Sequence, residues 1–163
     1  MKTKIFLVLM LLVASLVSCD NNNDNEIKSD NSLVFSLHRS GGWTGLDEKL
    51  EINAKSTHYS ISYHDLQTSE PKGYQTTIET SGTLWNNLIK TFDLETFAKI
   101  QDGACASCVD GIDETFSVTK DGKTYSFYNG AGDKNYQKMQ EFFDEILKQV
   151  TVFESIGNNI QPW

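Results

Sequence analysis

The chain has 163 residues, with 14 Lys and Arg against 22 Asp and Glu and a net charge of −8. That length suits one domain, and an acidic surface without clustered Lys or Arg excludes nucleic acid as a partner, because phosphate backbones are bound by basic patches. A hydrophobic share of 39% with 18 aromatic residues supplies a core and excludes wholesale disorder.

Residues 1–18 read as a leader. Lys2 and Lys4 form a basic start, and Ile5 to Ala14 is an apolar run too short to cross a bilayer as a mature helix. Leu16-Val17-Ser18-Cys19 follows, and this stretch resembles the lipobox of bacterial lipoproteins. The resemblance implies that Cys19 becomes the first mature residue, carries a diacylglycerol thioether and an N-acyl chain, and fixes the protein to a membrane of the cell envelope. Such chains anchor stably, each buried methylene contributing about 0.8 kcal/mol. The alternative is a conventional secretory leader beside an incidental Cys.

Without residues 1–18 the chain keeps 12 basic and 22 acidic residues, so its net charge becomes −10. Asp20 to Asn31 has one apolar residue, Ile27, too little to offset the entropy of ordering. Residues 19–31 are therefore expected to be a flexible tether, reaching on the order of 20 Å. Residues 32–155 are expected to fold as one domain, and 156–163 to form a C-terminal tail.

Within the domain the apolar residues first alternate. Leu33, Phe35 and Leu37 share one face of a strand, Leu50, Ile52 and Ala54 one face of a second, and His58 to His64 alternates throughout. Glu70-Pro71-Lys72-Gly73 supplies turn chemistry before a fourth strand in which Tyr74, Thr76 and Ile78 share a face. The period then changes: Leu84, Trp85, Leu88 and Ile89 recur at helical spacing, and Asp93 caps a short turn holding Leu94 and Phe97. Two further strands flank Asp121-Gly122, a type I′ hairpin signal. A last helix over about Lys134 to Val150 carries the stripe Tyr136, Met139, Phe143, Ile146 and Val150. Hairpins without a repeating strand-helix-strand unit predict an α+β domain, ββββ-α-ββ-α, with an antiparallel meander covered on one face by two main helices.

Few motifs carry chemistry. Cys105-Ala106-Ser107-Cys108 is a CxxC. In an oxidising compartment the pair closes a small disulfide; the alternatives are half of a metal site and a redox pair. Nearby acids argue against redox work, since they raise a thiol pKa. The loop from Asp102 to Glu114 also holds Asp110 and Asp113, hard oxygens that would suit a small-ligand or Ca²⁺ carrier, but without the spacing of a dedicated calcium loop. His58 and His64 share a strand face about 20 Å apart and cannot hold one metal. There is no G-x-S-x-G elbow and no H-E-x-x-H, so no catalytic residue is singled out and no cofactor or metal is called for. An envelope enzyme remains the alternative to a binding domain.

Arg39-Ser40-Gly41-Gly42-Trp43-Thr44-Gly45 is a Gly-rich loop with one large aromatic. Either Trp43 is exposed as a binding anchor or it folds back on the core. This stretch, followed by two hairpins, a helix ending near Phe97, an Asp-containing loop, the Asp121-Gly122 hairpin and a final helix, resembles the emfourin-type domain over residues 33–150. Domains of uncharacterised lipoproteins with the same layout are similar too. The emfourin type is known as a proteinaceous inhibitor of thermolysin-like metallopeptidases, so the resemblance implies a non-catalytic protein partner of peptidase type. The lipobox and the CxxC are departures from that pattern.

Overall fold

The computed structural model describes residues 32–159. The leader, Cys19, the tether to residue 31 and the tail beyond residue 159 lie outside the described residues. Six strands follow one another as β1 (Val34–Gly41), β2 (Leu46–Asn53), β3 (Ser56–His64), β4 (Pro71–Glu79), β5 (Ile112–Lys120) and β6 (Lys123–Tyr128). They form one sheet in the order β4-β3-β2-β1-β5-β6, antiparallel throughout. The helices are α1 (Gly82–Thr91), α2 (Leu94–Phe97), α3 (Lys134–Lys138) and α4 (Gln140–Asn159). The fold is α+β, as the patterning predicts.

Alternation decides which face is covered. Phe35, Leu37, Leu50, Ile52, Tyr59, Phe116, Val118 and Phe127 are buried, and all point to the helix side because side chains on a strand alternate. Phe35 meets Trp85 of α1 and Phe142 of α4 at ring distances of 5.6 and 5.0 Å, and Tyr59 stacks on Phe153 of α4 at 5.0 Å. On the other face, with Ser36, His38, Lys49, His58, Ser60, Thr77, Thr115 and Ser117, no helix packs among the described residues. Asp121 and Gly122 take left-handed conformations with φ of 51° and 76°, as a type I′ turn requires.

Local chemistry sets the helix ends. Ser81 caps α1 by accepting from Leu84 N at 3.2 Å, and Asp93 caps α2 by accepting from Glu95 N at 3.0 Å. The single helix expected over about Lys134 to Val150 is instead two. The backbone leaves helical geometry at Met139 (φ −108°, ψ 19°). In one straight helix Tyr136 and Phe143 would be about 10 Å apart along the axis. The break allows their rings to stack at 4.1 Å, over Phe116 and Phe127. The helix also continues to Asn159, so the described part of the expected tail is its last turn.

Candidate functional site

The end of the sheet where β1 turns into β2 carries the Gly-rich segment, and the structure divides it. Arg39, Ser40 and Gly41 belong to β1, while Gly42, Trp43, Thr44 and Gly45 form the turn. Gly41 and Gly42 have φ of 115° and 70°, in the region that favours glycine, and a Cβ on Gly41 would lie 2.7 Å from Gly111 O. The turn is braced on both sides: Gly42 N donates to Gly111 O at 2.9 Å, and His64 N donates to Thr44 O at 2.7 Å. Trp43 projects from this frame with 81% of its surface exposed. Trp43 therefore does not fold back on the core.

A second loop comes up beside it. Cys105 and Cys108 lie at disulfide distance, with Cα atoms 5.4 Å apart, and a short 3₁₀ turn, Ser107–Val109, sits at their position. Asp113 organises this loop. Its carboxylate accepts from the Ser107 hydroxyl at 2.5 Å, from Asn129 Nδ2 at 2.5 Å and from Ala106 N at 2.7 Å, and these bonds hold its pKa down at about 2. Val109 is 80% exposed, and Ile112, next to the Gly42 turn, is exposed as well. Two loops from distant parts of the sequence thus present Trp43, Val109 and Ile112 at one end of a rigid sheet.

Beneath this end is a charged cluster that no sequence motif marks. Arg39 points to the helix side, where its Nη1 donates to Glu48 Oε2 at 2.8 Å and Glu154 Oε1 at 3.2 Å, and its Nε lies 3.3 Å from Glu114 Oε1. Tyr59 OH donates to the other Glu48 oxygen at 2.5 Å. Burial lowers the Arg39 pKa, but Glu48, Glu114 and Glu154 more than reverse this and leave it raised. Burial, then the Glu48 hydrogen bond, pushes the Tyr59 hydroxyl well above its ordinary value. The cluster locks β1, β2, β3, β5 and α4 together, so Arg39 serves the frame and is not a free binding group. A signal existed: Arg39 continues the parity of Phe35 and Leu37, and Glu48 that of Leu50 and Ile52. Two opposite charges on buried parity in adjacent strands mark an inward ion pair.

The other candidates separate. The carboxylates of Asp102 to Glu114 have different partners: Asp102 accepts from Tyr128 N at 3.0 Å, Asp113 holds the Cys loop, Glu114 faces Arg39, and Asp110 is exposed in a left-handed conformation. No group of three or more His, Cys, Asp or Glu among the described residues is placed to hold a metal ion. On the open face His38 Nε2 lies 2.7 Å from Asp47 Oδ1, and Lys49 donates to the same carboxylate at 2.9 Å, which with His38 lowers the Asp47 pKa. A depression of about 450 Å³ beside them is lined by Asp47, Ser60, Ser62, Gly73 and Gln75 among others. A smaller one of about 180 Å³ lies on the helix side, between Ile112, Glu114 and Tyr136, whose hydroxyl burial pushes up to about 12. No helix among the described residues is long and apolar enough to cross a membrane.

No protein family matches the chain, and neither does any curated protein. The arrangement itself is a braced aromatic platform backed by a buried ion cluster. It can bury an apolar surface of a partner against a backbone that loses little freedom on binding.

Proposed function

We propose that the protein is a non-catalytic binding domain, anchored in the bacterial cell envelope through lipid on Cys19, that engages a protein partner with the end of its sheet bearing Trp43. The observation that carries this reading is the 81% exposure of Trp43 on a turn fixed from both sides. An exposed Trp on a pre-formed frame is an interface anchor, because little ordering entropy opposes its burial. The emfourin-like layout directs the choice of partner to a thermolysin-like metallopeptidase. The Cys105–Cys108 staple fits an oxidising envelope compartment and stiffens the neighbouring loop.

Incubating the chain in excess with a thermolysin-type peptidase tests the partner. Turnover is expected to fall, and Trp43→Ala to restore it. Unchanged turnover with the parent chain would remove the inhibitor reading. Mass spectrometry of the mature N-terminus tests the anchor, and an unmodified Cys19 would overturn it.

A further inference from the structure

The two edges of the sheet are finished differently. At β6 the chain covers the last residue: Tyr128 N donates to Asp102 Oδ1 at 3.0 Å, and Gly103 N donates to Tyr128 O at 2.7 Å. Lys123 adds a charge at the start of that short strand. At β4, nine residues long and last in the sheet, no backbone bond beyond the ladder to β3 is made between Pro71 and Glu79 among the described residues. Exposed edges are ordinarily blunted by charge, proline, bulges or a covering segment. β4 opens on Pro71 and Lys72 and closes on Glu79, but the six residues between them, Gly73-Tyr74-Gln75-Thr76-Thr77-Ile78, carry neither charge nor proline, in a chain with 36 charged residues of the four ionised types. The helix side of this edge is apolar as well. Ile78 is 49% exposed, and the last turns of α4, which lie over Tyr74 at Gly157, expose Val152 and Ile156 by 44% and 40%.

We infer that β4 is the seam of a homodimer, pairing antiparallel with β4 of a second copy about a two-fold axis at Thr76 to make one continuous sheet of twelve strands. The occupant follows from the strand's complementarity to itself. With the axis at Thr76, Tyr74 of each copy faces Ile78 of the other, Gln75 faces Thr77, and Thr76 faces Thr76. These are aromatic with β-branched, amide with hydroxyl, and Thr with Thr, pairs that stabilise a sheet. Glu79 falls opposite Gly73, where no side chain crowds it, and no like charges meet. An axis at Gln75 would set the Lys72 ammonium against Ile78, and an axis at Tyr74 would carry Ile78 past the start of β4. Directly opposed residues share a face, so registers between these are excluded. The rest of the acidic surface repels a second copy, and the uncharged middle of this edge, Gly73 to Ile78, is where two acidic chains approach at least electrostatic cost. The seam is independent of the Trp43 end and leaves it open in both copies.

The test uses the full chain extracted in mild detergent. Thr76→Cys, oxidised with copper phenanthroline, is expected to give a disulfide-linked dimer on a non-reducing gel well above the parent's background, whereas Lys123→Cys on the other edge gives none above it. Thr76→Lys, which places two ammonium groups on the axis, is expected to lower the dimer fraction seen by native mass spectrometry about tenfold, with its far-UV circular dichroism spectrum unchanged. Equal crosslinking at the two edges, or a dimer fraction that Thr76→Lys leaves unaltered, would overturn the seam. A Thr76→Cys product joining this chain to a different protein would also overturn it, as strand addition by another partner.

Discussion

Replacing Arg39 by Met removes the one cation of its cluster while keeping much of the side-chain volume. Glu48 then loses its charged partner at a position where only 2% of its side chain is exposed. Breaking a buried pair from one side costs about 3–5 kcal/mol, because an uncompensated charge stays behind. Glu114 and Glu154, with side chains 35% and 40% exposed, are screened by water and contribute at most about 1 kcal/mol each. We therefore expect Arg39→Met to lose about 4 kcal/mol, a large part of the ~5–15 kcal/mol that holds a domain of this kind folded. With a urea slope of about 2 kcal/mol/M, the unfolding midpoint followed by far-UV circular dichroism should drop by about 2 M. Glu48→Gln in the Arg39→Met background should restore part of the loss at pH 7, since the amide oxygen still accepts from Tyr59. A midpoint shift below about 0.5 M, or a double variant no more stable than the single one, would refute the view that this cluster is a buried brace.

Three further outcomes are expected. Trp43→Ala should change unfolding stability by no more than about 0.5 kcal/mol, as for an exposed residue without structural partners; a larger drop in a thermal melt would mean that Trp43 holds its own turn. Gly103→Ala should cost about 1–3 kcal/mol, because a Cβ there would stand 2.0 Å from Asn129 O, whereas Gly82→Ala, with nothing within 4 Å, should gain about 0.5 kcal/mol by restricting the unfolded chain; denaturant midpoints of the two variants check the contrast. Asp113 has its pKa held at about 2, below the ordinary 3.8, so its contribution to the Cys105–Cys108 loop is complete above about pH 4 and is lost as pH falls through 2. The amide resonances of Ala106 and Ser107 should follow that titration, and Asp113→Asn should abolish it.

The strands, the Asp121-Gly122 hairpin and the aromatic stripe of the last helix were legible because each rests on a local period or a local turn. The order of the strands was not. β1 lies between β2 and β5, and nothing near Phe35 announces that its neighbour will be Val118. The break at Met139 was hidden for a related reason: the helical period is right on both sides, and only the stacking of Tyr136 on Phe143 over the sheet rewards interrupting it. At the candidate site, the Gly-rich turn and the CxxC could be read as loops, but that Gly42 would meet Gly111 depends on the pairing of β1 with β5. Charge misleads in the same way. Arg39 and Glu48 look like surface residues by type, and only strand parity together with the helix layer above them makes Glu48 interior and Arg39 largely so.

A chain whose first strand ends up in the middle of its sheet cannot complete that sheet in the order in which it is synthesised. β1 to β4 can form as a meander once residue 79 is made, yet β1 then has an open side until Ile112 to Lys120 arrive. Trp85 of α1 can cover part of Phe35 early, but the apolar face of the meander is not closed until Phe142 and Phe153 come down on Phe35 and Tyr59. Closing so long a loop costs entropy before any contact rewards it, and folds dominated by such distant pairings fold slowly. Protection of the early strands against proteolysis should therefore appear late and all at once, when the last helix has left the ribosome, and a chain truncated before Gln140 should remain as susceptible as an unfolded one.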